Sequence, residues 1–155
     1  MKKQMLALFS LAILSFQCYA DERAMGVAEN AAGQLNDALQ KGRVDDIVSL
    51  YTDNAMIIQP DGSFSKERGE IRAFWQNMLD KKSGVMAIDV IEAKDDQEGT
   101  IVTTAHISDS KSLSTSPGTM KYSYDGVVYS VLRRQADGSW KAQVQQWRDA
   151  HAHVG

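Results

Sequence analysis

Cysteine occurs once in the 155 residues, at Cys18. It lies inside an amino-terminal segment laid out like a cleavable secretory signal. Lys2 and Lys3 precede an apolar run from Met5 to Phe16, and Cys18, Tyr19 and Ala20 stand before the charged Asp21, Glu22 and Arg23. Cleavage after Ala20 would remove the cysteine, which excludes a disulfide framework and a thiolate metal site from the mature chain. Long hydrophobic runs are also lacking: about a dozen apolar residues fall short of the roughly 20 needed to cross a hydrocarbon core, which argues against a permanent anchor. Phe16 and Gln17 stand where a lipoprotein signal needs small residues, which argues against a lipid on Cys18. Positive charge is scarce as well. Residues 21–155 carry 15 basic against 20 acidic residues, a net charge of −5, the opposite of a nucleic-acid footprint. Serine-nucleophile motifs, phosphate loops and histidine–carboxylate metal spacings do not occur, so no cofactor is expected. The chain is expected to cross the inner membrane into the periplasm and, once cleaved, to keep no membrane contact.

The remaining residues, about 135, make one domain, enough to bury roughly two-thirds of the surface the unfolded chain would expose. Ala24, Ala28, Ala31, Leu35 and Leu39 recur at helical spacing and predict a helix over 22–41, closed by Gly42. A second short helix is expected over 44–51 and a short strand over 55–59. The two prolines, Pro60 and Pro117, each have a glycine close behind; Pro60-Asp61-Gly62 reads as a tight turn. Over 67–82, Ile71, Phe74, Trp75, Met78 and Leu79 give the clearest helical pattern in the chain. From Val85 the period changes to two, with Met86, Ile88 and Val90 on one face and β-favouring threonines in the return strand over 101–107. The serine-rich stretch 108–118 reads as a mobile connection. A strand over 120–134, a turn at Ala136-Asp137-Gly138-Ser139 and a strand over 140–148 follow, with a frayed tail from Asp149. Helices first and a meander of strands last predict an α+β fold, with helices on one face of a curved antiparallel sheet.

Several of these segments resemble the nuclear transport factor 2-like, or SnoaL-like, superfamily in its ketosteroid-isomerase-like bacterial branch. They are Leu50-Tyr51-Thr52-Asp53-Asn54-Ala55, Pro60-Asp61-Gly62 and Arg68-Gly69-Glu70-Ile71-Arg72-Ala73-Phe74-Trp75, then Tyr124-Asp125-Gly126, Val131-Leu132-Arg133-Arg134 and Asp137-Gly138-Ser139-Trp140-Lys141. The resemblance implies a cone, in which a bent sheet wraps three amino-terminal helices around an apolar pocket, as in cystatin-like folds. It also implies the general base of the isomerase at Gln59, its oxyanion tyrosine at Leu35 and its oxyanion aspartic acid at Ser130. A glutamine amide has no useful basicity, and all three positions are replaced, so the family's isomerisation is not expected.

The expected lining of the pocket is Tyr51, Ile58, Gln59, Trp75, Met78, His106, Tyr124 and Trp147. Each has a plainer reading: Gln59 as a strand-end cap, Trp75 as helix core, His106 as a satisfied structural histidine. His106 and Asp125 are the candidate bases should the chain be an enzyme. His151 and His153 form an H-x-H pair on the expected tail, too exposed to predict a metal site. Three readings stand at this point. The first is a binder of a small, largely apolar or carbonyl-bearing molecule. The second is an isomerase, cyclase or dehydratase on a small carbonyl or polyketide-like substrate. The third is an interaction module that forms a homodimer through the sheet face.

Overall fold

The computed structural model of the protein describes the backbone of residues 2–81, 85–115 and 118–154, and the side chains of 19–81, 86–109 and 125–149. Helix α1 runs over Lys2–Lys41, longer than the 22–41 expected. No glycine or proline interrupts the chain before Gly26, so nothing breaks the helix between the signal-like segment and the amphipathic part. It ends as its glycine predicts. Gly42 takes φ 64°, its N–H donates to the Leu39 carbonyl at 3.2 Å, and the Arg43 N–H donates to the Ala38 carbonyl at 3.1 Å, a Schellman closure.

Helix α2 covers Val44–Ser49, and Tyr51 opens strand β1, Tyr51–Ile58, instead of closing the helix. The Leu50 carbonyl accepts a hydrogen bond from the Ala142 N–H at 2.9 Å, so sheet pairing captures the chain one residue before Tyr51. A turn from Gln59 to Ser63 leads to the short β2, Phe64–Ser65. Helix α3, Arg68–Lys81, is entered through Glu70, whose Oε2 accepts from the Lys66 N–H at 2.8 Å and caps the first turn.

Four long strands complete the chain: β3 Val85–Gln97, β4 Thr100–Thr115, β5 Gly118–Arg134 and β6 Trp140–Val154. The sheet order is β2-β1-β6-β5-β4-β3. All neighbours are antiparallel except β1 and β6, which pair in parallel. Two further expectations are corrected. In the serine-rich stretch 108–118, expected as a connection, the described residues 108–115 and Gly118 are strand: they pair from Ser108↔Asp125 to Thr115↔Gly118, because β-compatible serines and threonines extend a ladder already begun by Ile101 and Ile107. The tail from Asp149 is strand and does not fray, since the start of β5 offers it a partner through Tyr122↔Val154.

Register shifts fall at Val90/Glu92 in β3 and opposite Asp125/Gly126 and Val131/Leu132 of β5. Each bulge adds local bend and twist, and together they curl the sheet around α1. One core unites Ala24, Ala28, Leu35 and Leu39 of α1 with Ile71 and Trp75 of α3 and with Ile57, Ile101, Ile107 and Leu132 of the sheet. Asn36 fastens α1 to the sheet edge: its Nδ2 donates to the Ile88 carbonyl and its Oδ1 accepts from the Ile88 N–H, both at 2.9 Å.

Candidate functional site

Between α1 and the concave face of the sheet lies a cavity of about 60 Å³. Its helical wall is built from small residues, Ala28, Ala31 and Ala32, which leave space that larger side chains would fill. Ile88, Val90, Ala105, Val128 and Leu132 supply the apolar part of the sheet wall. Gln34 of α1, whose Nε2 donates to Asn30 Oδ1 at 2.7 Å, adds a polar side chain to the helical wall, and across the sheet wall runs one polar row. Thr103, Ser130 and Gln145 are register partners on β4, β5 and β6, and all three line the cavity together with Tyr51.

The row continues into the core through a chain of hydrogen bonds. The Trp75 Nε1–H donates to the Tyr51 hydroxyl at 2.9 Å, and the Tyr51 hydroxyl donates to Gln145 Oε1 at 2.5 Å. Tyr51 is 2 % exposed, and burial drives its phenol far above the ordinary tyrosine range, against a smaller opposing effect of the Trp75 hydrogen bond. It is therefore a neutral donor at every working pH. Behind it, Trp75, Phe74 and Trp147 pack edge to face with ring centroids 5.3–5.5 Å apart, a geometry that favours each pair beyond its buried area.

Tyr51 also makes the stability of the fold sensitive to alkali. A tyrosine in the unfolded chain ionises near pH 10, whereas the folded phenol holds its proton, so its stabilisation is complete below about pH 10 and is lost as pH rises further. Melting temperatures taken from pH 8 to 11.5 are expected to fall more steeply above pH 10 for the wild type than for Tyr51→Phe. Equal slopes would remove Tyr51 as the cause.

Of the eight residues predicted to line the pocket, Tyr51 does so. Trp75 and Trp147, 0 % and 3 % exposed, are core behind the cavity. Gln59 lies in the turn after β1, where its Nε2 donates to Ser65 Oγ at 3.3 Å; with Met78 it borders a separate surface groove beside α3. Ile58 lies on the outer face of the sheet in a groove with Tyr129, Val131 and Val144. The side chain of Tyr124 lies outside the described residues, as do those of His151 and His153. Of the three positions the resemblance assigns to isomerase chemistry, Leu35 and Ser130 line the cavity and Gln59 does not.

His106 and Asp125 are brought together, with His106 Nε2 3.1 Å from Asp125 Oδ1. They are not brought to the cavity. The neighbours Ala105 and Ile107 point inward and are buried, so alternation turns His106 outward, on the same face as the exposed Val102. Sequence reading missed Gln145 and Thr103. Their signal is the cross-strand register with Ser130, which no single strand displays.

A family model described as a SnoaL-like domain matches residues 32–143. Among curated proteins none matches the chain. Solved structures of similar fold include a ketosteroid isomerase-like protein from Erwinia carotovora atroseptica, 16% identical with a TM-score of 0.65, covering 82% of this chain and 96% of that one. A nuclear transport factor 2-like protein from Shewanella oneidensis is 18% identical with a TM-score of 0.64, covering 80% of this chain and 98% of the other. A hexachlorocyclohexane dehydrochlorinase from Novosphingobium barchaimii is 11% identical with a TM-score of 0.64, covering 84% and 88%. At these identities the likeness is one of fold, and this fold carries both enzymes and binding modules.

Proposed function

The chain belongs to the SnoaL-like domain family, and from that premise we propose that it is an exported, periplasmic protein that binds a small, largely apolar molecule in its cone cavity. The observation that carries this reading is the lining: an apolar enclosure crossed by one polar row, the arrangement by which ligand sites combine burial with orientation. The replaced isomerase positions support binding without that isomerisation. Leu35 and Ser130 face the cavity without an ionisable group, and Gln59 lies outside it. The volume limits the ligand. About 60 Å³ holds roughly four waters, against roughly 300–1,000 Å³ for a drug-sized site, so the occupant is a small molecule or the end group of a larger one.

The test is native mass spectrometry of protein purified from the periplasm. The wild type is expected to retain a small molecule, and Ala31→Leu, which fills the cavity from α1, is expected to lose it with little change in melting temperature. Retention by Ala31→Leu, or a wild type that binds nothing, would sink the reading.

A second reading is favoured by the outer sheet face. Val102 and Tyr129 are 37 % and 42 % exposed there, beside Ile58, Val131 and Val144. An apolar patch spanning four strands suits cover by a second copy of the chain. The same spectra report this directly, as the mass of a dimer or of a monomer.

A further inference from the structure

We infer that the polar row selects its ligand by a carbonyl oxygen, and that the Gln145 side-chain amide is the residue that makes the selection. This rests on the binding reading above and adds to it the hydrogen-bonding sign of the ligand. The argument begins at Trp75, whose indole N–H donates and has no acceptor. Its proton goes to the Tyr51 oxygen, which leaves the Tyr51 proton to go onward to Gln145 Oε1. The chain of donors therefore runs one way, from the core to the amide, and fixes which end of that amide meets Tyr51. Were the amide reversed, its NH₂ would face the Tyr51 oxygen and the buried phenolic proton would lose its acceptor. Gln145 is 6 % exposed and lines the cavity, so its NH₂ is the part left for a ligand.

Ser130, the register partner of Gln145 on β5, and Thr103 beyond it carry hydroxyls that donate or accept as required. They do not set a direction; the amide does. A ketone, aldehyde or ester oxygen entering the row accepts from the Gln145 NH₂. A hydrocarbon of the same shape displaces water from that NH₂ and returns nothing, which costs affinity.

The test compares butanone with its shape-matched hydrocarbon 2-methylbut-1-ene by NMR titration of the whole protein. Wild type is expected to bind the ketone about 5-fold more tightly, the effect of one net hydrogen bond. The ketone, and not the alkene, should shift the Gln145 side-chain amide resonances. In Gln145→Met the two should bind equally. The amide resonances in wild type give the answer even if Gln145→Met does not fold. Equal binding of both probes to wild type overturns the selection and leaves the cavity reading in place. Binding of neither overturns both, as does a response confined to residues outside the cavity.

Discussion

Trp75→Ala is expected to lower the unfolding free energy by about 3–5 kcal/mol, the range for emptying a large aromatic site in a core. For a domain of this size that is a fall of roughly 10–20 °C in melting temperature. Trp75 is 0 % exposed, so the whole ring volume becomes a void. Two edge-to-face contacts, with Phe74 and Trp147, disappear with it. The Tyr51 hydroxyl also loses the indole that orients it. Trp75→Phe separates these effects, since a phenyl ring keeps much of the packing and removes the N–H. Thermal melts of the three proteins suffice. A Trp75→Ala protein that melts within a few degrees of wild type would mean the aromatic cluster does not hold α3 to the sheet.

Asn36→Leu is expected to cost about 2 kcal/mol, from two net hydrogen bonds of roughly 1 kcal/mol each. Leucine preserves the approximate volume, so the loss reports polar contacts and not a cavity. The position matters because β3 is an edge strand, and the Ile88 N–H and carbonyl that Asn36 occupies would otherwise stand open on that edge. Open edges pair with other chains. Hydrogen exchange should therefore show lost protection at Ile88 and its neighbours in β3, and the variant should aggregate at concentrations the wild type tolerates. Unchanged exchange at Ile88 would show that the helix holds the edge by apolar packing alone.

The two variants act on different joints of the same cone. Trp75 joins α3 to β1 and β6, and Asn36 joins α1 to β3. The cavity lies between α1 and the sheet, the joint that Asn36 holds, and Trp75 touches it only through the Tyr51 hydroxyl.

Much of the fold is legible in the sequence. The helical spacing of Ala24, Ala28, Leu35 and Leu39, with Gly42 behind them, predicts the buried face of α1 and its closure. The pattern from Ile71 to Leu79 predicts α3, of which Ile71 and Trp75 are fully buried. Met86, Ile88 and Val90 do share the inner face of β3. These features are local: a helix face or strand face repeats at a fixed period, and glycine ends a helix by its own backbone freedom. The errors fell where a partner strand overrides local composition. Serines 108–114 and the residues after Asp149 look like loop until a neighbouring strand supplies their hydrogen bonds.

The site was less legible, and β6 shows why. Simple alternation from Ala142 would turn Val144 and Gln146 inward. The register moves from Val131↔Val144 to Leu132↔Ala142, so Gln143 is an extra residue, and the phase flips to put Gln145 and Trp147 inside. A bulge is set by pairing between strands and by the curl of the sheet, neither of which a single strand records. Sequence by itself determined the buried faces of α1 and α3, the inner face of β3, the turn at Pro60-Asp61-Gly62 and the acidic charge, because each depends on composition or on neighbours along the chain. Tertiary structure alone decided that Thr103, Ser130 and Gln145 form one row, that His106 and Asp125 meet on the opposite face, and that the cavity is small. Those facts depend on register and curvature, which arise when distant strands meet.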